Sequence, residues 1–155
     1  MERARRQREA VEAIQESGGE VFYDYEVNFI LLAILQEPRV RAWLLEAFGY
    51  DFFFSVDGAL LRYRSHETIQ HLTDLPNLKD LYFLDTPVTD ADLESLKGFT
   101  KLTELELVGT HVTDAGLVHL RKLSNLKHLD LRVTQVTPDG VKKLQKALPD
   151  CEIEY

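Results

Sequence analysis

Leu102-Thr-Glu-Leu-Glu-Leu-Val-Gly-Thr-His-Val-Thr-Asp114 carries the clearest pattern in the chain, because two further stretches repeat it at intervals of 24 residues. The preceding copy is Leu78-Lys-Asp-Leu-Tyr-Phe-Leu-Asp-Thr-Pro-Val-Thr-Asp90, and the following copy is Leu126-Lys-His-Leu-Asp-Leu-Arg-Val-Thr-Gln-Val-Thr-Pro138. All three follow the pattern L-x-x-L-x-L-x-x-T-x-V-T, with Phe83 at the third leucine position of the first copy. An apolar register that occurs three times predicts stacked structural repeats.

The hydrophobic period changes inside each copy. Leu105 and Leu107 alternate with polar neighbours, which is typical of a half-buried strand. Leu117, Leu120 and Leu123 then follow at intervals of three, which favours a short helix or 3₁₀ segment facing the same core. Each unit is therefore predicted to be a strand, a turn and a short helix. Because one such unit cannot bury its apolar face alone, the units must stack.

A threonine precedes each predicted helix, at the position where an N-cap is expected: Thr89, Thr113 and Thr137. The next residue is an aspartate in the first two units, where a negative charge favours the helix dipole, and Pro138 in the third. Proline costs little there because the first-turn N–H has no partner within the helix. These residues predict where the three helices begin.

The pattern extends beyond the three clear copies. Val56, Ala59 and Leu61 keep the same spacing as the later strands, and Leu148–Tyr155 is predicted to form a closing strand. In that strand Cys151, Ile153 and Tyr155 are expected to point inward. The prediction is four repeats and a terminal strand over residues 56–155.

These units resemble leucine-rich repeats. The segment VTDAGL at Val112–Leu117 is similar to repeats of bacterial proteins and of F-box substrate adaptors. The resemblance implies an α/β fold, namely a right-handed solenoid of about four strand–turn–helix units. It also implies a role for the threonines that stand where most such repeats carry an Asn or Cys ladder. Their hydroxyls are expected to bond backbone groups in the turn: Thr86, Thr110 and Thr134.

Residues 1–55 are predicted to form an N-terminal α/β cap on this array. Arg3–Ser17 has a helical pattern that ends at two glycines, and Glu20–Val27 alternates like a strand. Pro38–Phe48 is predicted to be a second helix. A terminal unit must shield the end of a solenoid core from water, which gives the aromatic residues of this region a structural role.

The composition fits one ordered domain. The chain has 155 residues, of which 45% are hydrophobic and 28% charged, which excludes wholesale disorder. The formal net charge of -8 disfavours general affinity for nucleic acid or for an anionic membrane. Cys151 is the single cysteine, so no disulfide can form within the chain, and its inward repeat position predicts an inert core residue.

The longest nearly apolar run is Phe29–Leu35, which is far shorter than the ~20 residues that a spanning helix needs. We expect this run to pack across the end of the core; the alternative is an exposed patch for weak self-association or membrane docking. The chain as written is expected to be cytoplasmic. A second possibility is the soluble domain of a membrane-anchored protein, because residues 3–26 resemble a segment that follows a membrane-spanning helix in bacterial repeat proteins.

Alternate residues of a strand point to opposite faces, so the repeat register predicts which side chains face outward. One predicted column is Asp80, Glu104, His128 and Glu152. The next column is Tyr82, Glu106, Asp130 and Glu154, and Arg132 lies beside it. Concave strand surfaces are the usual binding surfaces of solenoids. We therefore expect these residues to contact a protein partner, with a basic one favoured: Asp80, Tyr82, Glu104, Glu106, His128, Asp130 and Arg132.

Catalytic and metal-binding patterns are weak. The histidines share no i/i+4 spacing and do not converge with cysteine, and no G-x-S-x-G, P-loop or dinucleotide glycine motif occurs. No enzymatic activity, cofactor or metal is expected. The alternative function is a structural or anchoring module of a membrane-associated assembly, which would use the N-terminal helix and Phe29–Leu35.

Overall fold

The computed structural model describes residues 2–23, 56–62, 65–84 and 86–155. Within these ranges helices and strands alternate along the chain. The helices are α1 (Glu2–Glu16), α2 (Ser65–Leu72), α3 (Asp90–Leu96), α4 (Leu117–Leu120) and α5 (Pro138–Gln145). The strands are β1 (Glu20–Tyr23), β2 (Val56–Arg62), β3 (Asp80–Leu84), β4 (Glu104–Glu106), β5 (His128–Asp130) and β6 (Glu152–Glu154).

The described strands form one sheet in sequence order, from β1 to β6. The pair β1–β2 is antiparallel, and every later neighbouring pair is parallel. Parallel neighbours need a crossover connection, and a helix lies between each two consecutive strands from β2 to β6. The predicted α/β fold with a parallel sheet of strand–helix repeats is confirmed.

The core consists of the leucine ladder that the 24-residue pattern predicts. Leu81, Leu105 and Leu129 are direct partners on successive strands, and each is at most 1% exposed. Ala59 pairs with Leu81 and Leu61 with Phe83, which extends the same ladder into β2. Because each repeat buries its apolar side chains against those of its neighbours, the array shares one continuous core.

Two of the three predicted helix caps are observed. Thr89 precedes α3, and Thr137 precedes α5, where its hydroxyl accepts a hydrogen bond from the N–H of Gly140 at 3.2 Å. The prediction for Thr113 is wrong, because α4 begins only at Leu117 and its cap position is Gly116. The hydroxyl of Thr113 donates to the Asp90 carboxylate of the preceding repeat, and the residues that follow it form a turn before the helix begins.

The closing strand β6 is present, and its inward side chains differ in burial. Cys151 is buried and Ile153 packs against the core. The inward prediction for Tyr155 is wrong, since this side chain is 60% exposed. The reason is that β6 ends at Glu154, so Tyr155 extends past the last position that the sheet orients.

The N-terminal segment follows its predicted pattern where it is described. Ala10, Val11 and Ile14 of α1 are buried. The helix ends at Glu16, and the turn after it contains Gly18, whose φ of 82° is accessible to glycine without strain. The remainder of the predicted strand to Val27, the run Phe29–Leu35 and the helix Pro38–Phe48 lie outside the described residues. The division into a cap of residues 1–55 and an array of residues 56–155 therefore stays a prediction.

Candidate partner-binding surface

The strand register brings the candidate side chains together on one face of the sheet. Asp80, Glu104, His128 and Glu152 are direct partners from β3 to β6, and so are Tyr82, Glu106, Asp130 and Glu154. Arg132 follows β5 by two residues. We call this set the acidic face, and its two columns are the ones that the sequence predicts. Glu152 and Glu154 belong to it as fully as the seven candidate residues, because β6 continues the register by one more strand.

The second half of the acidic face surrounds a depression of about 160 Å³. Its walls carry carboxylates of three strands together with two side chains that can be cationic: Glu104, Glu106, Asp130, Glu152, Glu154, His128 and Arg132. Asp80 and Tyr82 lie outside this depression, towards β2. The face thus has a strongly acidic part over β4–β6 and a different part over β2 and β3.

Arg132 is held within the acidic part by two carboxylates. Its Nε lies 3.0 Å from each carboxylate oxygen of Asp130 and 3.4 Å from Oε2 of Glu154. Its backbone N–H also donates to Asp130 at 2.9 Å. Burial opposes ionisation of Asp130, but these hydrogen bonds from Arg132 outweigh it, and the pKa of Asp130 lies below its ordinary value. The guanidinium of Arg132 therefore pairs mainly with Asp130, and it neutralises only part of the negative charge of the acidic face.

Glu106 shows that negative charge remains in excess. Burial, followed by the charges of Glu104 and Asp130, raises the pKa of Glu106 above its ordinary value, although Arg132 acts in the opposite direction. His128 lies at the rim, with Nδ1 3.5 Å from Oε2 of Glu152, and both side chains are largely exposed. A cation that entered the depression would relieve the repulsion among these carboxylates.

The part of the face over β2 and β3 is aromatic. The rings of Phe22 and Tyr82 are perpendicular, with their centroids 6.4 Å apart. Phe22 reaches Tyr82 across Gly58, where a Cβ atom would come within 2.9 Å of the Phe22 ring. Burial, then the charges of Glu104 and Asp80 and a hydrogen bond to Glu104, raise the pKa of the Tyr82 hydroxyl. Tyr82 is therefore a neutral ring beside negative charge.

Phe22 is absent from the sequence-predicted set. The alternating pattern of the first strand predicts that Val21 and Phe22 point to opposite faces. It does not predict which strand β1 pairs with, and so it cannot place Phe22 on the acidic face. The antiparallel pairing of Phe22 with Gly58 puts the ring on the acidic face.

The described residues contain no group of three or more His, Cys, Asp or Glu side chains that could hold a metal ion. Burial raises the pKa of Cys151 to about 11, so its thiol stays protonated at neutral pH and is a poor nucleophile. Among the helices that the structure describes, none has the length and apolarity needed to cross a membrane.

The family described as Leucine Rich repeat matches residues 100–120 and 122–144. No curated protein matches the chain. The solved structure of a leucine-rich repeat protein from Leptospira interrogans is 22% identical, with a TM-score of 0.47, over 62% of this chain. The match spans only 23% of the Leptospira chain. The repeated sequence pattern, the leucine ladder between parallel strands and the family match together make this chain a leucine-rich repeat protein.

Proposed function

We propose that this chain is a non-enzymatic protein-binding module, and that its acidic face receives a basic segment of a partner protein. Leucine-rich repeat modules are in general scaffolds for protein interaction, which supports the first half of the proposal. The second half rests on one observation, the alignment of carboxylates on successive strands around the depression. Their spacing of about 4.8 Å between strands makes them repel one another, so a cationic partner gains both attraction and relief of that repulsion.

The charge of the acidic face would also speed the encounter with a basic partner before the two proteins touch. A surface lined by one sign of charge attracts an oppositely charged partner during diffusional encounter, and salt weakens this attraction. A solubilising surface would need only a high density of charge. Solubility alone does not require Arg132 to be held between two carboxylates. It also gains nothing from crowding that raises the pKa of Glu106.

Charge reversal tests the proposal. The variant Glu104→Lys/Glu106→Lys removes the central carboxylates and leaves the Asp130–Arg132 pair in place. Its matched control is Glu94→Lys/Asp150→Lys, which changes the net charge equally at two exposed positions away from the sheet face. Both variants and the unaltered chain are used for affinity capture from native lysate. A carbodiimide cross-linker that joins carboxylates directly to lysine amines then reports the contact sites.

The expected result is a protein captured by the unaltered chain and by the control, and lost with Glu104→Lys/Glu106→Lys. Its cross-linked lysines should lie in one basic segment and join to carboxylates of the acidic face. Equal capture by all three proteins, or cross-links confined to the helices, would contradict the proposal.

A further inference from the structure

The aromatic pair stands at the edge of the acidic charge and is incompletely covered. Phe22 is 42% exposed, which makes it one of the few large apolar side chains left accessible in the described residues. Tyr82 is half-buried beside it, and Gly58 provides the space through which the two rings meet. An exposed aromatic ring on a strand face contributes less to the core than a buried one, and this ring leaves apolar surface accessible beside the carboxylates of the acidic face.

The charges around this pair have one sign. Asp80 lies on the same face of β3, two residues from Tyr82, and Glu104 and Glu106 lie on the next strand. Burial raises the pKa of Tyr82, and the neighbouring carboxylates of Glu104 and Asp80 raise it further because they disfavour a negative charge on its hydroxyl. Aromatic faces attract cations within about 6 Å of the ring centroid, and adjacent carboxylates strengthen the attraction. The pair therefore presents the chemistry of a cation site rather than of a purely apolar pocket.

We propose that the Phe22–Tyr82 pair, with Asp80 and Glu104 beside it, binds the guanidinium of an arginine in an extended basic segment of the partner protein. Arginine fits better than lysine because its planar guanidinium can stack on a ring and still donate hydrogen bonds in that plane. This inference rests on the proposed function, since it names the residue type that the aromatic end of the same surface selects.

The spacing of the strands sets the length of the partner segment. Tyr82 and Glu154 are three strands apart, which corresponds to about 14 Å. In an extended chain, side chains on the same side recur every two residues, so four residues also span about 13–14 Å. An arginine at the aromatic pair therefore places a second basic residue, four positions away, over Asp130 and Glu154. Charge complementarity along this path identifies the occupant as a basic peptide segment.

A random linear peptide library is the probe. Peptides are selected on the unaltered chain and counter-selected on Glu104→Lys/Glu106→Lys, and the Kd of each selected peptide is measured by fluorescence anisotropy. Selected sequences should contain an arginine with a second basic residue four positions away. Replacing that arginine by citrulline keeps the planar shape and removes the charge. Tyr82→Leu and Phe22→Leu remove the aromatic faces, and Tyr155→Leu is the control for loss of an exposed tyrosine elsewhere.

Tyr82→Leu should raise the Kd by about 2- to 30-fold, the range expected for a cation–π contact, and Tyr155→Leu should leave it unchanged. The citrulline peptide should bind the unaltered chain more weakly, and this penalty should shrink in Tyr82→Leu. Thermal unfolding of each variant verifies that it is folded, and Phe22→Leu provides the second test if Tyr82→Leu does not fold.

The outcomes separate this inference from the proposed function. An unchanged Kd in Tyr82→Leu and Phe22→Leu, with the citrulline penalty intact, overturns the aromatic arginine site and leaves the acidic face as a binding surface. Selected peptides that lack basic residues also overturn it. If no selected peptide distinguishes the unaltered chain from Glu104→Lys/Glu106→Lys, both the inference and the proposed function fall.

Discussion

Three threonines that occupy the same place in successive repeats differ in their hydrogen bonds. The hydroxyl of Thr110 donates to the carbonyl of Leu107 at 2.7 Å, and that of Thr134 donates to Leu131 at 2.6 Å. These two bonds are the backbone contacts that the resemblance to leucine-rich repeats implies. Thr86 is 1% exposed, yet its hydroxyl has no partner within the described part of the chain. A buried polar group in that state costs about 1–3 kcal/mol.

Replacement of these residues by valine should therefore give opposite results. Thr86→Val removes an unpaired hydroxyl and should stabilise the fold by up to about 1 kcal/mol, whereas Thr110→Val breaks a made hydrogen bond and should cost about 1 kcal/mol. The free energies of unfolding from urea titrations provide the comparison. Two losses of similar size would mean that the Thr86 hydroxyl is satisfied in solution.

Among the elements, the starts of the helices are joined from one repeat to the next. The carboxylate of Asp90 accepts hydrogen bonds from the backbone N–H of Thr113 at 2.8 Å and from its hydroxyl at 2.7 Å. Asp114 makes the same two contacts with Thr137, at 2.8 and 2.7 Å. The sequence places both aspartates in the first turn of their own helices, but their hydrogen bonds go to the following repeat.

The repeat that contains Thr89 differs from the two later repeats in the origin of the carboxylate that binds its threonine. Thr89 donates its hydrogen bonds to Asp92 within its own helix, because the repeat before it has a histidine where Asp90 and Asp114 stand. In the later repeats the position of Asp92 is a glycine, Gly116 or Gly140, and the aspartate of the preceding repeat occupies the space. This position is therefore an aspartate where the helix supplies the carboxylate for its own threonine, and a glycine where the preceding repeat supplies it.

Gly116→Ala tests this arrangement. A methyl group at this position would overlap Oδ1 of Asp90, so the carboxylate must leave Thr113. We expect a loss of about 1–2 kcal/mol, because the hydrogen bonds from Thr113 to this carboxylate are broken. In the background of Asp90→Ala most of this loss should disappear, because the overlap is gone. Additive effects in this double-mutant cycle, measured by denaturant unfolding, would contradict the assignment.

At the scale of the whole molecule, the crowded carboxylates of the acidic face lower the stability of the fold, and the same carboxylates are the ones proposed to bind the partner. The folded pKa of Glu106 is raised by burial and by the charges of Glu104 and Asp130, so ionisation of this group disfavours the folded state. The stability linked to its neutral form is fully present below the ordinary pKa of 4.5 and is lost as the pH rises through the raised folded value.

Glu106→Gln should therefore have a higher Tm than the unaltered chain at pH 7, and the difference should vanish as the pH falls below about 4. Glu94→Gln is the matched control. A hydrogen bond from Lys97 lowers the pKa of Glu94, so removing that charge should not raise the Tm at pH 7. A Tm for Glu106→Gln that is lower at pH 7 would show that this carboxylate is stabilising. In the proposed function, the same substitution weakens partner binding.

The sequence by itself determined the buried leucine ladder and the two outward columns of the acidic face. Both depend only on the 24-residue period and on the alternation of side chains along a strand, which are local properties of the chain. The late start of α4 was not predictable, because Thr113 occupies the same repeat position as Thr89 and Thr137, which do precede their helices directly.

Only the tertiary structure decided that Phe22 lies against Tyr82, that Arg132 is held by Asp130 and Glu154, and that Asp90 bonds to the next repeat. These contacts depend on which strand accepts β1, on how far a flexible side chain reaches, and on the distance between stacked turns. The contacts of Arg132 with Glu154, of Phe22 with Tyr82 and of Asp90 with Thr113 are not set by neighbouring residues, because each joins segments that are distant along the chain.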